Sequence, residues 1–343
     1  MRLDSQSQTQ ATMTLHALTQ SSGNLGHEKT EYSTARRLIL RDGRFLACSE
    51  YGAPIGFPLF YLHDAGSSRL EAGFFDAEAR RKGFRLIAVD RPGIGESGAL
   101  PGFTRLSCSD DILQVADALG IERFGILSAG SGSAIALVTA ASAPRRVAMV
   151  LGLSSQFPLS NSQAGFLSAL ARASFELCLQ AGVGLRLWLR GTSPKRYVQR
   201  LRDSLTYADR RLLDNPDIRE HLIRVAEEAV RSGGAGIARD AILAMAPLQL
   251  ATHKLHMPVH LWQGSTESSA LQNQQHQFAE SLPAATVHRL NNRGRFFFWR
   301  HTEEVFAVAQ SVLGVGKQGF VVSGGRQVRL PEPDTARSVA MAG

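Results

Sequence analysis

Leu119-Gly-Ile-Glu-Arg-Phe-Gly-Ile-Leu-Ser-Ala-Gly-Ser-Gly-Ser-Ala-Ile-Ala-Leu137 carries a helix stop, a strand, a tight turn and a helix start within nineteen residues. Gly120 ends the preceding amphipathic stretch, Phe124-Gly-Ile-Leu127 is a short apolar run suited to a buried strand, and the Gly/Ser block that follows has the composition of a turn. Ala134 to Ala143 then has helical spacing, and Val147 to Leu151 is a second β-branched and apolar run. A strand, a short turn, a helix and another strand make a βαβ unit, which needs a parallel sheet covered on both faces.

The same alternation extends outward in both directions. Upstream lie a helix over Asp110 to Leu119, strands over Phe84 to Val89 and Pro58 to Leu62, and a helical stretch from Leu70 to Lys82 closed by Gly83. Before these, Arg37 to Arg41 and Arg44 to Cys48 flank Asp42-Gly43, a hairpin signal. Downstream, strand patterns vanish between Phe157 and Leu250, where amphipathic helical stretches with Gly and Pro breaks take over. They return at Val259 to Trp262 and Ala285 to Leu290, with a helix from Gln272 to Ser281 between them and a last helix from Thr302 to Val312. The pattern predicts an α/β protein with a mostly parallel, doubly wound sheet and a helical cap inserted late in the chain. Residues 1–33 read as a disordered tail, 34–156 as the first part of the core and 157–250 as the cap. Residues 251–315 then complete the core, and 316–343 form a C-terminal tail in which Gly319 to Ser323 could pack locally.

Composition narrows the function classes. With 44% hydrophobic and 20% charged residues, 343 residues suffice for one large core. No apolar run reaches the ~18 to 20 residues of a membrane span, and Met1 to Gln20 lacks the pattern of a secretory signal, so a cytoplasmic protein is expected. Cys48, Cys108 and Cys178 have no metal or pairing spacing. The net charge of +8 is spread along the chain; its densest group, Arg186, Arg190, Lys195, Arg196, Arg200 and Arg202, reads as a solvated helix face, and no nucleic-acid-binding signature accompanies it.

Four segments carry a resemblance. His63-Asp-Ala-Gly-Ser-Ser-Arg69, Asp90-Arg-Pro-Gly-Ile-Gly-Glu-Ser97, the Leu119 to Leu137 stretch running on to Pro144-Arg-Arg-Val147, and Pro258-Val-His-Leu-Trp-Gln-Gly264 occur in the order of the α/β-hydrolase superfamily's oxyanion loop, its Asp-x-x-Gly-x-Gly-x-Ser loop, nucleophile elbow and acid-bearing strand. The resemblance covers roughly residues 36–155 and 235–312. It implies a catalytic serine in Gly-x-Ser-x-Gly, exposed on a strained strand-to-helix turn beside backbone N–H groups.

Here those five positions read Ser128-Ala-Gly-Ser-Gly132, so Gly130 stands at the nucleophile position. The acid position holds Glu267. The family's Gly-His-Phe reads Gly294-Arg295-Phe296, and arginine cannot serve as a general base near neutral pH. Asp64 replaces the glycine that follows His63, which places a carboxylate beside any developing oxyanion. The resemblance thus implies a pocket lined by His63, Asp64, Ala65 and Ser131 in a catalytically silent protein, a pseudoenzyme with a degenerate triad and no cofactor or metal. Its expected partner is a small molecule, with an anion favoured by Arg295, or else a protein. An ion pair of Arg295 with Glu267 or Asp64 is also expected. The alternative is an atypical, esterase-like serine hydrolase using Ser131 or Ser128. A one-residue bulge in the strand would bring Ser131 into the nucleophile register, at the cost of a poorer fit at Leu137 and Val138. His288 and His301 read as structural or surface residues.

Overall fold

The computed structural model describes residues 36–157, 193–314, 320–323 and 326–329. Ten strands fall among them: β1 Arg36–Ile39, β2 Phe45–Gly52, β3 Phe57–Leu62, β4 Phe84–Val89, β5 Phe124–Ala129, β6 Val147–Leu153, β7 Val259–Gly264, β8 Ala285–Leu290, β9 Phe320–Ser323 and β10 Arg326–Arg329. The first eight form one sheet in the order β1-β2-β4-β3-β5-β6-β7-β8. β2 runs antiparallel to β1 and β4, and the pairings from β4 through β8 are parallel. β1 and β2 are joined through Asp42-Gly43, with Gly43 at φ 82° as such a turn requires.

The parallel strands are apolar on both faces because helices cover both sides. Every residue of β3 is buried: Phe60 and Leu62 face one apolar cluster, Leu59 and Tyr61 the other. The first cluster joins the sheet to α2 (Arg105–Ala118) and α3 (Gly132–Ser142) through Ile112, Val115, Ile135 and Ala136. It also takes in Ala279 of α8 (Ser269–Glu280). The second contains Ala79 of α1 (Asp76–Arg81) and Phe306 of α9 (Glu303–Val312).

Between β6 and β7 the described chain is helical: α4 Pro194–Ser204, α5 Tyr207–Leu213, α6 Pro216–Ala229 and α7 Gly234–Met245. Two starts are written into the sequence. Ser193 and Asn215 accept backbone N–H groups of the first turn, and each is followed by proline. This is the helical cap inserted in the sheet.

Several boundaries differ from the periodicity. α2 begins at Arg105 rather than Asp110, because Thr104 and Ser107 form a reciprocal capping box. The stretch from Leu70 splits into a 3-10 helix, Arg69–Phe75, and the short α1, since Arg69 and Glu71 turn into the interior. Within the segment read as a C-terminal tail, β9 and β10 pair antiparallel. Cys48 and Cys108 are buried free thiols, whereas Cys178, Arg186, Arg190 and the expected N-terminal tail lie outside the described residues.

Candidate functional site

β5 enters the centre of the sheet and ends at Ala129, and α3 leaves from Gly132. Gly130, between them, adopts φ 51°, a left-handed conformation that costs glycine little. Its N–H donates to Leu153 O at 2.9 Å, pinning the turn to the end of β6. Ser131 has an ordinary φ of −69° and is 6% exposed. The β3–β5 register runs without interruption from Leu59↔Gly125 to Leu62↔Ser128. The irregularity beside β5 falls between Phe124↔Val147 and Ile126↔Val150, which puts the extra residue on β6. The bulge needed to shift Ser131 is therefore not in β5.

The loop after β3 brings Asp64 to this turn. A Cβ built on Gly130 would overlap the Asp64 carboxyl group. Asp64 Oδ1 accepts from the backbone N–H of Ala65 and of Ser131, both at 2.8 Å. Asp64 Oδ2 accepts from Arg295 Nη2 at 2.5 Å. Ala65 N also lies 3.0 Å from Ser131 Oγ. With its amide oxygen turned to the guanidinium, Gln156 accepts from Arg295 Nη1 at 2.8 Å and Nη2 at 2.7 Å. The guanidinium carbon lies 5.2 Å from the centre of the Phe296 ring. Burial alone would push the Asp64 carboxyl up; the Arg295 charge and the two backbone N–H groups outweigh it and hold it below the usual 3.8.

Glu267 is arranged differently. Its Oε1 accepts from Gly264 N at 2.9 Å and lies 2.9 Å from Ser154 Oγ, and burial raises its pKa. Ser154 Oγ is also 2.6 Å from Arg295 O, so one hydroxyl proton is shared between a carboxylate and a carbonyl. Ser154 has φ 44°, a strained conformation for a residue with a side chain. Of the two carboxylates expected to hold Arg295, Asp64 forms the ion pair.

Residues the sequence did not single out complete the arrangement. Asp209, buried on α5, accepts the N–H groups of Arg295 and Phe296 at 2.9 Å each. Gly294 lies so close that any Cβ there would overlap the Asp209 carboxyl. Arg91 donates to His63 O at 2.7 Å, to Asp64 O at 2.8 Å and to Asp240 Oδ2 of α7 at 2.6 Å. It thereby holds the His63–Asp64 backbone from below. His63 is buried with Nδ1 2.8 Å from Asp64 O, and burial drives its pKa well down, so it is neutral. His63, Asp64, Ala65, Gly130, Ser131 and Arg295 thus meet in one place, with Glu267 behind Ser154. Ser128 is fully buried at the end of β5, bonded to Ser133 Oγ at 3.0 Å. His288 has other partners; it stacks on Trp262 with ring centroids 4.4 Å apart and sits 3.0 Å from His260. Asp209 and Gln156 left no local signal, and Arg91, although it lies in the Asp90–Ser97 motif, likewise acts through contacts distant in sequence.

A family model described as the alpha/beta hydrolase fold matches residues 64–302. The acetyltransferase component of the acetoin-cleaving system of Pseudomonas putida is 36% identical over 107 residues, 31% of this chain and 29% of that protein. The chain therefore spans less than a third of that curated relative. A hydrolase from Pseudomonas aeruginosa superposes with a TM-score of 0.64 at 18% identity, covering 82% of this chain and 98% of that one. The enol-lactonase of Burkholderia xenovorans gives 0.62 at 16% identity, covering 81% and 99%. A thermophilic esterase from Thermogutta terrifontis gives 0.60 at 18%, covering 82% and 98%. At these identities the likeness is one of fold.

Proposed function

The chain belongs to the α/β hydrolase fold family, and we propose that it is a catalytically silent member whose capped site binds a small molecule instead of hydrolysing one. The observation that carries this reading is the position of the Asp64 carboxylate. It fills the space a side chain at 130 would need and takes the N–H groups of Ser131 and Ala65, the donors available to an oxyanion. Acyl transfer needs those donors free to meet negative charge that develops during reaction. Here they already hold a full negative charge, and a second one would be repelled.

The triad positions support the same reading. In the proposed correspondence Gly130 brings no nucleophile, Arg295 brings no base, and Glu267 is left with no histidine to orient. Losing a serine nucleophile or its histidine costs on the order of a million-fold in rate. The positive φ at Gly130, beside the ordinary φ of Ser131, favours 130 as the elbow position.

Ester turnover tests the proposal. p-Nitrophenyl acetate should be hydrolysed by the wild type no faster than by Ser131→Ala or Ser128→Ala. Saturable turnover lost in either variant would establish the atypical serine hydrolase instead.

A further inference from the structure

The donors around Asp64 form a cradle shaped for a carboxylate. Two backbone N–H groups converge on one oxygen and a guanidinium N–H meets the other. This is two-oxygen recognition of a planar monoanion. The group now in place is the side chain of Asp64, chemically an acetate on a short tether. We infer that the cradle is a ligand site for carboxylates in which Asp64 is the resident intramolecular occupant, and that a carboxylate-bearing small molecule binds by taking its place. The inference rests on the silent-binder reading and gives that site its ligand class.

Three features bear on the exchange. A tethered carboxylate competes at an effective concentration in the millimolar range or above, so a free acetate gains little against it. A larger carboxylate can win only by adding contacts of its own beyond the cradle. The Phe296 ring, buried against Trp299 with centroids 4.2 Å apart, backs the Arg295 guanidinium and keeps it in the cradle. Asp64 is not sealed in, since its side chain keeps 15% exposure. The charge balance favours a carboxylate over a phosphate dianion. Arg295 supplies one positive charge, and a second negative charge would have no partner in the cradle.

The test uses acetate and benzoate as probes, phosphate as a control, and calorimetry on the full chain. Asp64→Ala should bind benzoate and acetate at least tenfold more tightly than the wild type, and phosphate no more tightly. Adding Arg295→Met to Asp64→Ala should cost at least tenfold of that affinity. If Asp64→Ala does not fold, Asp64→Gly, which also empties the cradle, takes its place in the same comparison. Binding no tighter than wild type, or binding indifferent to Arg295→Met, would overturn the inference. The two readings fail separately: wild-type ester turnover lost in Ser131→Ala would overturn silence, while carboxylate exchange is judged only by the dependence on Asp64 and Arg295.

Discussion

A serine placed at 130 would have to share its space with Asp64. Gly130→Ser should therefore destabilise the protein by about 2 to 4 kcal/mol, part from a side chain at positive φ and part from the overlap. Adding Asp64→Gly should recover some of that loss, so the double variant should be more stable in urea than the sum of the single effects. Strictly additive costs would show that the two residues do not compete for space. The Asp64–Arg295 pair also makes a pH prediction. The folded pKa of Asp64 lies below its ordinary value of 3.8, so its contribution is fully present above that value and is lost as pH falls through the depressed one. The stability gap between wild type and Asp64→Ala should stay level from pH 7 to pH 5 and close only below about pH 4. Much of this was legible residue by residue. Glycine, arginine and aspartate at 130, 295 and 64 are visible in the sequence, but the direct occupation of Gly130's side-chain space by Asp64 is a distance, and sequence carries no distances.

At the scale of elements, helices α6 and α7 are fastened to the core by buried polar contacts. Arg69, 3% exposed, pairs with Asp90 and, at 2.5 Å, with Glu228 of α6. Arg91 pairs with Asp240 of α7 at 2.6 Å. Asp240→Ala leaves the buried Arg91 charge facing only carbonyls and the His63 ring, and should cost about 3 to 5 kcal/mol in chemical denaturation. A loss below 1 kcal/mol would mean that α7 is not held through this pair. His221 of α6 ties the cap to the core in another way. Its Nε2 lies 2.9 Å from Leu70 O, and burial lowers its pKa to about 4. A depressed base is stabilising while neutral, so this contribution is complete above the unfolded value of 6.5 and fades as pH falls towards 4. His221→Gln should flatten that slope by on the order of 2 kcal/mol between pH 6.5 and 4. Strands were readable because apolar runs bounded by Gly and Pro leave few alternatives, and β4 and β8 match the sequence reading end to end. The 3-10 turn at Arg69 and the early start of α2 were not, since both depend on where polar side chains find partners.

For the whole molecule, the order of strands, the inserted helices and the match over residues 64–302 agree on the family. Among the described residues no helix is long and apolar enough to cross a membrane. Part of the basic charge is neutralised in ion pairs such as Arg36–Glu50, Arg37–Glu96 and Arg146–Asp117. The family fold was readable in order and spacing, because four motifs must each land at the end of a strand. Chemical competence was harder to read, because it depends on whether a handful of groups stand free or already satisfied. The central claim is that no serine in this site is activated, and covalent labelling addresses it most directly. Intact-mass measurement of the purified, folded protein after incubation with a fluorophosphonate should show no adduct. A stoichiometric adduct on the folded protein, mapped to Ser131 or Ser128, would contradict the account.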